Sequence, residues 1–222
     1  MPMLKYETDP LKIREKSFKK IRELISLDEL PSKEQEVAVQ MIQASGDLSI
    51  FDKLRFSDAL VDHAMQAMDD DYEIICDTES VICGLNQKYL KNEPISLINK
   101  ANVISQAKSQ KKTRSMTAVD FWKPYLAGSI ILIGNEPTAL FRLLELLDEL
   151  DPDKPKKKPA LIIATPAGFV GATEAKQLLW EKQASLGTPC ITLLGTRGSS
   201  NLASTAMNVL LKMHAQQEEQ PD

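Results

Sequence analysis

Arg114 is the residue whose chemistry is easiest to recognise in this chain. It lies in a cationic segment, Lys108–Ser115, and its planar guanidinium group can hold a carboxylate through two parallel hydrogen bonds. A cationic loop is commonly plain solvated surface. This one falls between predicted strands, where ligands are often held, so an anion-binding role is the alternative.

Four apolar runs each lead through a loop into a helical pattern, and this repetition predicts the fold. The runs are residues 72–76, 130–133, 160–165 and 190–194, and the loops that follow are 77–80, 134–138, 165–171 and 195–200. Alternating strands and helices favour a parallel sheet with crossover helices. Ligands of such sheets bind outside the carboxyl ends of the strands, so we expect the four loops to converge on one site.

A fifth strand is predicted at Ile95–Ile98, which gives an α/β fold with a mainly parallel sheet of about five strands. The chain has 222 residues, 43% of them hydrophobic, which is enough for one large α/β domain or two small ones.

Three helices are predicted before the first strand. Asp9 and Pro10 indicate the start of one helix, Ser32–Gln35 reads as a capping box for the second, and Ser57 as the N-cap of a third over residues 58–68. Ser17 lies on the first helix beside its apolar stripe. Gln40 and Gln43 lie three residues apart on the second helix, near its end. A glutamine pair in such a place normally faces solvent.

The overall composition excludes several classes of function. The 27 basic and 31 acidic residues give a net charge of −4, and aromatic residues make up 5%, so no nucleic-acid partner is expected. No apolar run approaches the roughly 18 residues of a membrane span. The three cysteines, Cys76, Cys83 and Cys190, fit reduced thiols. We therefore expect a soluble, cytoplasmic protein with no membrane contact.

Familiar nucleotide, hydrolase and metal motifs are missing from the sequence. There is no GxxxxGK[ST], no GxGxxG after a strand, no nucleophile elbow and no HExxH. Asp69–Asp71 lacks the interleaved spacing of a calcium loop and reads as a polar turn, and residues 151–159 read as a proline-rich connector. The residues alone therefore predict an α/β domain that binds an anionic small molecule without a metal ion.

Several stretches, in this order, resemble the precorrin-8X methylmutase family of cobalamin biosynthesis, also called precorrin isomerase or cobalt-precorrin-8 methylmutase. They are Lys16–Phe18, Met41–Asp47, Thr113–Ser115, Ile133–Leu140, Pro166–Lys176 and residues 195–208. The resemblance covers essentially the whole chain.

The resemblance implies a three-layer, flavodoxin-like α/β/α sandwich formed by a single domain, residues 1–222, with an N-terminal helical segment, residues 9–68, packed on it. It implies a homodimer with active sites at the subunit interface. The implied reaction needs no cofactor: a methyl group moves from C-11 to C-12 of precorrin-8X to give hydrogenobyrinic acid, or cobyrinic acid from cobalt-precorrin-8.

The resemblance also assigns roles to individual residues. Phe169 and Val170 would supply apolar walls for the macrocycle. The substrate-binding residues it implies are Ser17, Gln40, Thr113, Arg114, Ser115, Asn135, Gly168 and Gly171.

Gln43 occupies the catalytic position, where the family has a histidine thought to exchange a proton with the ring system. Gln40 stands where the family usually has an arginine. A glutamine can donate and accept hydrogen bonds but does not titrate near neutral pH. An alternative function follows: a catalytically weak or inactive relative that binds or delivers a corrinoid.

Overall fold

A computed structural model describes residues 6–70, 72–150 and 158–219. Residues 151–157 of the predicted connector and Asp71 of the predicted acidic turn lie outside the described residues. The helices are α1 Pro10–Leu24, α2 Ser32–Ser45, α3 Leu60–Asp69, α4 Glu79–Cys83, α5 Ala101–Gln110, α6 Arg114–Val119, α7 Pro137–Asp148, α8 Ala172–Leu186 and α9 Ser200–Glu219. The strands are β1 Leu54–Phe56, β2 Ile74–Cys76, β3 Ile130–Ile133, β4 Leu161–Ala164 and β5 Cys190–Leu193.

The five strands form one sheet in the order β1-β5-β4-β3-β2, in which only β1 runs antiparallel to its neighbour. The predicted mainly parallel sheet of about five strands is therefore confirmed, but the fifth strand was assigned wrongly. Ile95 forms only an isolated bridge with Ile75. The fifth strand is β1, within the segment predicted to be helical, and its three residues are too few to show an alternating pattern.

Two hydrophobic cores, one on each face of the sheet, confirm the three-layer α/β/α sandwich. The first packs buried residues of α2, α3 and α9 against one face, and the second packs those of α7 and α8 against the other. Successive parallel strands are always neighbours, so right-handed crossovers place α7 and α8 on the same face. The strand order has no reversal like that of flavodoxin itself.

One of the three predicted helix caps is confirmed. The Asp9 carboxylate accepts the N–H groups of Leu11 and Lys12, at 2.9 and 3.3 Å, at the start of α1. Ser32 is instead the first residue of α2 and makes no capping hydrogen bond.

Ser57 is also no cap, because α3 begins only at Leu60. The Ser57 hydroxyl donates to Gln183 Oε1 and accepts the N–H of Cys190, at 2.9 and 2.8 Å, and so fastens the end of β1 to β5.

Within the described part of the chain, no helix has the length and apolar character needed to cross a membrane.

Candidate functional site: two clefts at the carboxyl edge of the sheet

The loops that follow the parallel strands leave the sheet toward opposite faces in two places. After β2 the chain enters α4 on the α9 side, whereas after β3 it enters α7 on the other side. After β4 it enters α8, whereas after β5 it enters α9 on the opposite face. Each divergence opens a crevice beyond the strand ends, which is where α/β sheets bind ligands.

The four loops meet at one edge, as predicted, and are joined by hydrogen bonds. Thr165 Oγ1 donates to the Ser199 carbonyl at 3.0 Å, and Gly168 N–H donates to the Thr196 carbonyl at 2.9 Å. Their open surface is nevertheless divided between two clefts, not gathered in one, because β3 and β4 both continue to the same face of the sheet.

The small cleft, of about 360 Å³, lies between the β2 and β3 loops. Its far wall comes from the segment that connects α5 to α6. Four of the predicted site residues line it together: Thr113, Arg114, Ser115 and Asn135.

The large cleft, of about 640 Å³, lies between the β4 and β5 loops, and Ala44 and Ser45 at the end of α2 form another wall. Gly168 lines it, as does Phe169. The side chains of Phe169 and Val170 are 95% and 89% exposed, which is unusual for large apolar residues. They are therefore available to pack against a bound molecule.

Asp77 organises the rim of the small cleft. Its carboxylate accepts the backbone N–H groups of Gly134, Asn135 and Glu136, at 3.1, 2.9 and 3.0 Å. The side chain is buried, and burial raises the pKa of Asp77 although the three N–H groups oppose that rise. The β3 loop is thus held by a carboxylate from the β2 loop.

Arg114 is the basic residue that lines the small cleft, which also carries two acidic residues, Glu79 and Glu136. Within the described residues its guanidinium has one hydrogen-bond partner, the neutral Asn99 side-chain oxygen at 3.3 Å. Glu136 lines the same cleft, and burial, with a smaller effect from Asp77, raises the pKa of its carboxyl group.

Lys176 and Arg197 fix the β5 loop beside the large cleft. Lys176 is fully buried, and its Nζ donates to the Arg197 carbonyl at 2.6 Å. Burial lowers the pKa of Lys176 to about 8. The Arg197 guanidinium is paired with Asp47 and donates to Ser49 Oγ at 2.9 Å, so it ties this loop to the segment after α2.

The remaining predicted residues lie elsewhere. Ser17 is half-buried on α1, and Gln43 is exposed near the end of α2, one residue before Ala44 of the large cleft. Gly171 lies at the N-terminus of α8 with φ of +80°, where a Cβ atom would come within 3.2 Å of the Phe141 ring. In a single chain, therefore, Gln43 lies next to the large cleft without lining it, whereas Arg114 lines the small cleft.

Sequence reasoning missed Asp77, Lys176 and Arg197. Asp77 could have been found as the first residue after a buried strand. Lys176 shares a stripe with Ala172, Ala175 and Leu179 on α8, and a lysine on an otherwise apolar stripe is a recognisable signal. Nothing local predicts the pairing of Arg197 with Asp47, because 150 residues separate them.

An α/β sandwich with a mainly parallel sheet and polar clefts at its carboxyl edge is typical of the α/β proteins that bind small molecules. The precorrin-8X methylmutase family profile matches residues 12–213 of the chain.

Similar proteins have the same length and fold. The precorrin-8X methylmutase of Pseudomonas aeruginosa is 38% identical, covering 94% of this chain and 98% of the relative. The cobalt-precorrin-8 methylmutase of Leptospira interrogans is 30% identical, covering 93% and 95%. A crystal structure of precorrin-8X methylmutase from Thermus thermophilus superposes with a TM-score of 0.81 at 29% identity, covering 96% of this chain and all of the other.

The chain belongs to the precorrin-8X methylmutase family, a family of isomerases of cobalamin biosynthesis. The resemblance seen in the sequence is thereby confirmed. The alternative of an inactive corrinoid-binding protein gains no support, because these relatives are named as methylmutases.

Proposed function

We propose that this protein isomerises precorrin-8X to hydrogenobyrinic acid by moving a methyl group from C-11 to C-12. The full-length match to enzymes of this name carries the proposal. The relative named for the metal-free substrate is more similar, at 38%, than the one named for the cobalt substrate, at 30%, which favours precorrin-8X over cobalt-precorrin-8.

The two clefts suit the chemistry of this substrate. Its macrocycle is flat and apolar, and it carries several acetate and propionate carboxylates. Arg114, with Thr113, Ser115 and Asn135 around it, offers a charge-assisted hydrogen bond and polar partners for a carboxylate. Phe169 and Val170 offer apolar surface for the ring. Gly168 and Gly171 allow the backbone of this loop to adopt positive φ.

The reaction relocates a methyl group within one molecule, so substrate and product contain the same atoms. Catalysis then depends on holding the ring in a conformation close to the transition state, with binding energy from the peripheral carboxylates used for orientation and distortion. Gln43 contributes a hydrogen bond at the ring, and Ser17 and Gln40 contact the periphery. No metal ion or cofactor takes part in this proposal.

We propose further that the active protein is a homodimer. Phe169 and Val170 project into solvent beside the large cleft, and a second copy or the substrate would cover them. In a dimer, the large cleft of one subunit and the small cleft of the other can contribute to one site. Sedimentation equilibrium should give a mass of twice 24.7 kDa, and a monomer at micromolar concentration would contradict the dimer.

The chain is proposed to act as one domain in the cytoplasm. Residues of α2 and α3 share a core with α9, which supports treating segment 9–68 as part of the same unit. Cys76, Cys83 and Cys190 are all unpaired, as is usual in reducing compartments.

The test is anaerobic incubation with precorrin-8X, followed by visible absorbance and mass spectrometry of the product. Conversion over many turnovers, with no change in mass, is expected. Cobalt-precorrin-8 should be compared in parallel. Binding of precorrin-8X in a one-to-one ratio without conversion would contradict the proposed activity.

A further inference from the structure

The arginines of this chain differ in what neutralises them. Arg22, Arg142 and Arg197 are each paired with a carboxylate. Arg55 donates to two backbone carbonyls of its own segment. Among the described residues, Arg14 and Arg114 are the two arginines whose hydrogen-bond partner is a neutral side-chain amide, Gln40 for the first and Asn99 for the second.

Arg14 is held in place by two neighbours, Gln40 and Phe18, and neither of them neutralises its charge. Its Nη2 donates to Gln40 Oε1 at 2.9 Å, and its guanidinium carbon lies 5.1 Å from the centre of the Phe18 ring. Gln40 is itself oriented, because its Nε2 donates to Glu36 Oε1 at 2.8 Å. The charge of Glu36 is met by Arg22 at 3.0 Å. Arg14 is exposed, and among the described residues its one hydrogen bond is that to Gln40, so most of its five N–H donors are left for a ligand.

The position of Arg14 links it to the predicted site. Gln40, Gln43 and Ala44 lie at spacings of three and four residues on α2, so they share one face of the helix. Ala44 lines the large cleft. On α1, Ser17 lies one turn beyond Arg14. The guanidinium of Arg14 therefore stands over the face of α2 that leads into the large cleft.

We propose that Arg14 is a second carboxylate-binding residue for the substrate, with Gln40 as the residue that positions it. This inference rests on the proposed function, because it assumes a substrate with several peripheral carboxylates. Arg114 then holds one carboxylate and Arg14 another. Two fixed points of this kind define the orientation of a flat ring, which a single point does not.

The experiment is an anaerobic titration of the purified protein with hydrogenobyrinic acid, the product, followed by visible absorbance. Arg14→Ala should weaken binding about 10- to 100-fold, as expected for the loss of a charge-assisted hydrogen bond. The affinity of Arg14→Lys should lie between those of wild type and Arg14→Ala, since lysine keeps the charge but lacks the paired donors of the guanidinium group. Lys20→Ala is the matched control: it removes one positive charge from the same helix, at an exposed side chain without a hydrogen bond in the described residues, and should change binding less than twofold.

Gln40→Glu provides an independent variant. A glutamate at this position would pair with Arg14 and neutralise it, so binding should weaken although the arginine is present. In the Arg14→Ala background, Gln40→Glu should weaken binding little further. The non-additivity of the two changes in binding affinity then measures whether Gln40 acts through Arg14.

Two outcomes would overturn the inference, and they differ from each other. In the first, the wild-type protein binds and isomerises corrinoids and Arg14→Ala binds them with the same affinity. Arg14 would then not belong to the site, and the proposed function would be unaffected. A wild-type protein that neither binds hydrogenobyrinic acid nor converts precorrin-8X would overturn the proposed function and the inference together.

Discussion

Lys176 Nζ lies 2.6 Å from the carbonyl oxygen of Arg197, inside the protein, while the guanidinium of the same arginine is paired with Asp47 at the surface. Arg197 is therefore held at both ends. These contacts join α8 to the β5 loop and the β5 loop to the segment after α2, and the last two of these parts line the large cleft. The shape of this cleft thus depends on a buried amino group.

Lys176 should give the protein a measurable pH dependence of stability. Its pKa is about 8 in the folded protein, against an ordinary value of 10.5. Between these values the unfolded chain binds more protons, so the free energy of unfolding should rise with pH across this window. The difference between wild type and Lys176→Met, measured by urea unfolding from pH 7 to 10.5, should therefore grow in favour of wild type. Leu179→Met, on the same buried stripe, is the control: it keeps Lys176, so the difference in unfolding free energy between wild type and this variant should not change with pH. A difference that grows with pH as much as that for Lys176→Met would refute this role of Lys176.

Asp77→Asn should destabilise the rim of the small cleft. An amide in place of the carboxylate puts a donor against at least one of the three N–H groups of residues 134–136, which then loses its partner. The expected loss is about 1–3 kcal/mol in the free energy of unfolding. Asp58→Asn, at an exposed position, should have little effect. Unchanged stability and unchanged substrate binding in Asp77→Asn would show that the loop keeps its shape without the carboxylate.

Gly198→Ala should disturb the large cleft by direct collision. A Cβ atom at residue 198 would lie 2.1 Å from the Thr165 carbonyl oxygen and 2.7 Å from that of Pro166, both of them backbone atoms. Gly187→Ala is the matched control, because it has φ of +62° but no atom within 4 Å, so it should cost only the roughly 1–2 kcal/mol of a left-handed residue. Thermal unfolding should show the larger loss for Gly198→Ala, and corrinoid affinity should fall only in that variant.

Gln43→His should raise the turnover number for precorrin-8X, since a positioned acid or base is typically worth about 10²- to 10⁴-fold. The histidine should also introduce an inflection near pH 6.5 into the pH profile of kcat, which the glutamine cannot produce. Ser32→His, at an exposed position without a capping hydrogen bond at the other end of α2, is the control and should do neither. A Gln43→His variant no faster than wild type would mean that residue 43 does not face the reacting carbons.

Arg114→Ala should raise the dissociation constant for hydrogenobyrinic acid by about 10- to 100-fold, because the small cleft would lose its exposed guanidinium. Lys112→Ala removes the same charge from the same cationic segment at an exposed position outside the cleft lining. Absorbance titration at low and high salt should show a smaller Arg114 effect at high salt. Equal affinities for the two variants would place the carboxylate elsewhere.

Much of the fold could be predicted because buried parallel strands have a strong local signal. The apolar run at 130–133 is β3, the run at 190–194 contains β5, and Pro137 is the first residue of α7. β1 could not be found this way, since it pairs with β5 across more than 130 residues and has only three residues of its own. Residues 54–56 form a strand because β5 offers them hydrogen-bond partners, and not because of their own amino-acid composition.

The candidate site was predictable only in part, for a related reason. Arg114 and Asn135 were found from residue type and position after a strand, and they do line one cleft. The split into two clefts depends on which face each following helix covers, and that is decided by long-range packing of α4 and α9. The positions of Asp77 and Lys176 leave a signal in the sequence, but the backbone groups that they contact, in residues 134–136 and at Arg197, could not be read from it.

The short antiparallel strand β1 protects the protein against aggregation through an exposed edge of its sheet. It lies at the outer margin of the sheet, and with three residues it offers a poor template for a strand from another molecule. A chain that began after Ser57 would instead present the longer strand β5, which is fully buried in the intact protein, at that margin. The first quarter of the chain thus covers the edge of β5, and its removal should cause aggregation.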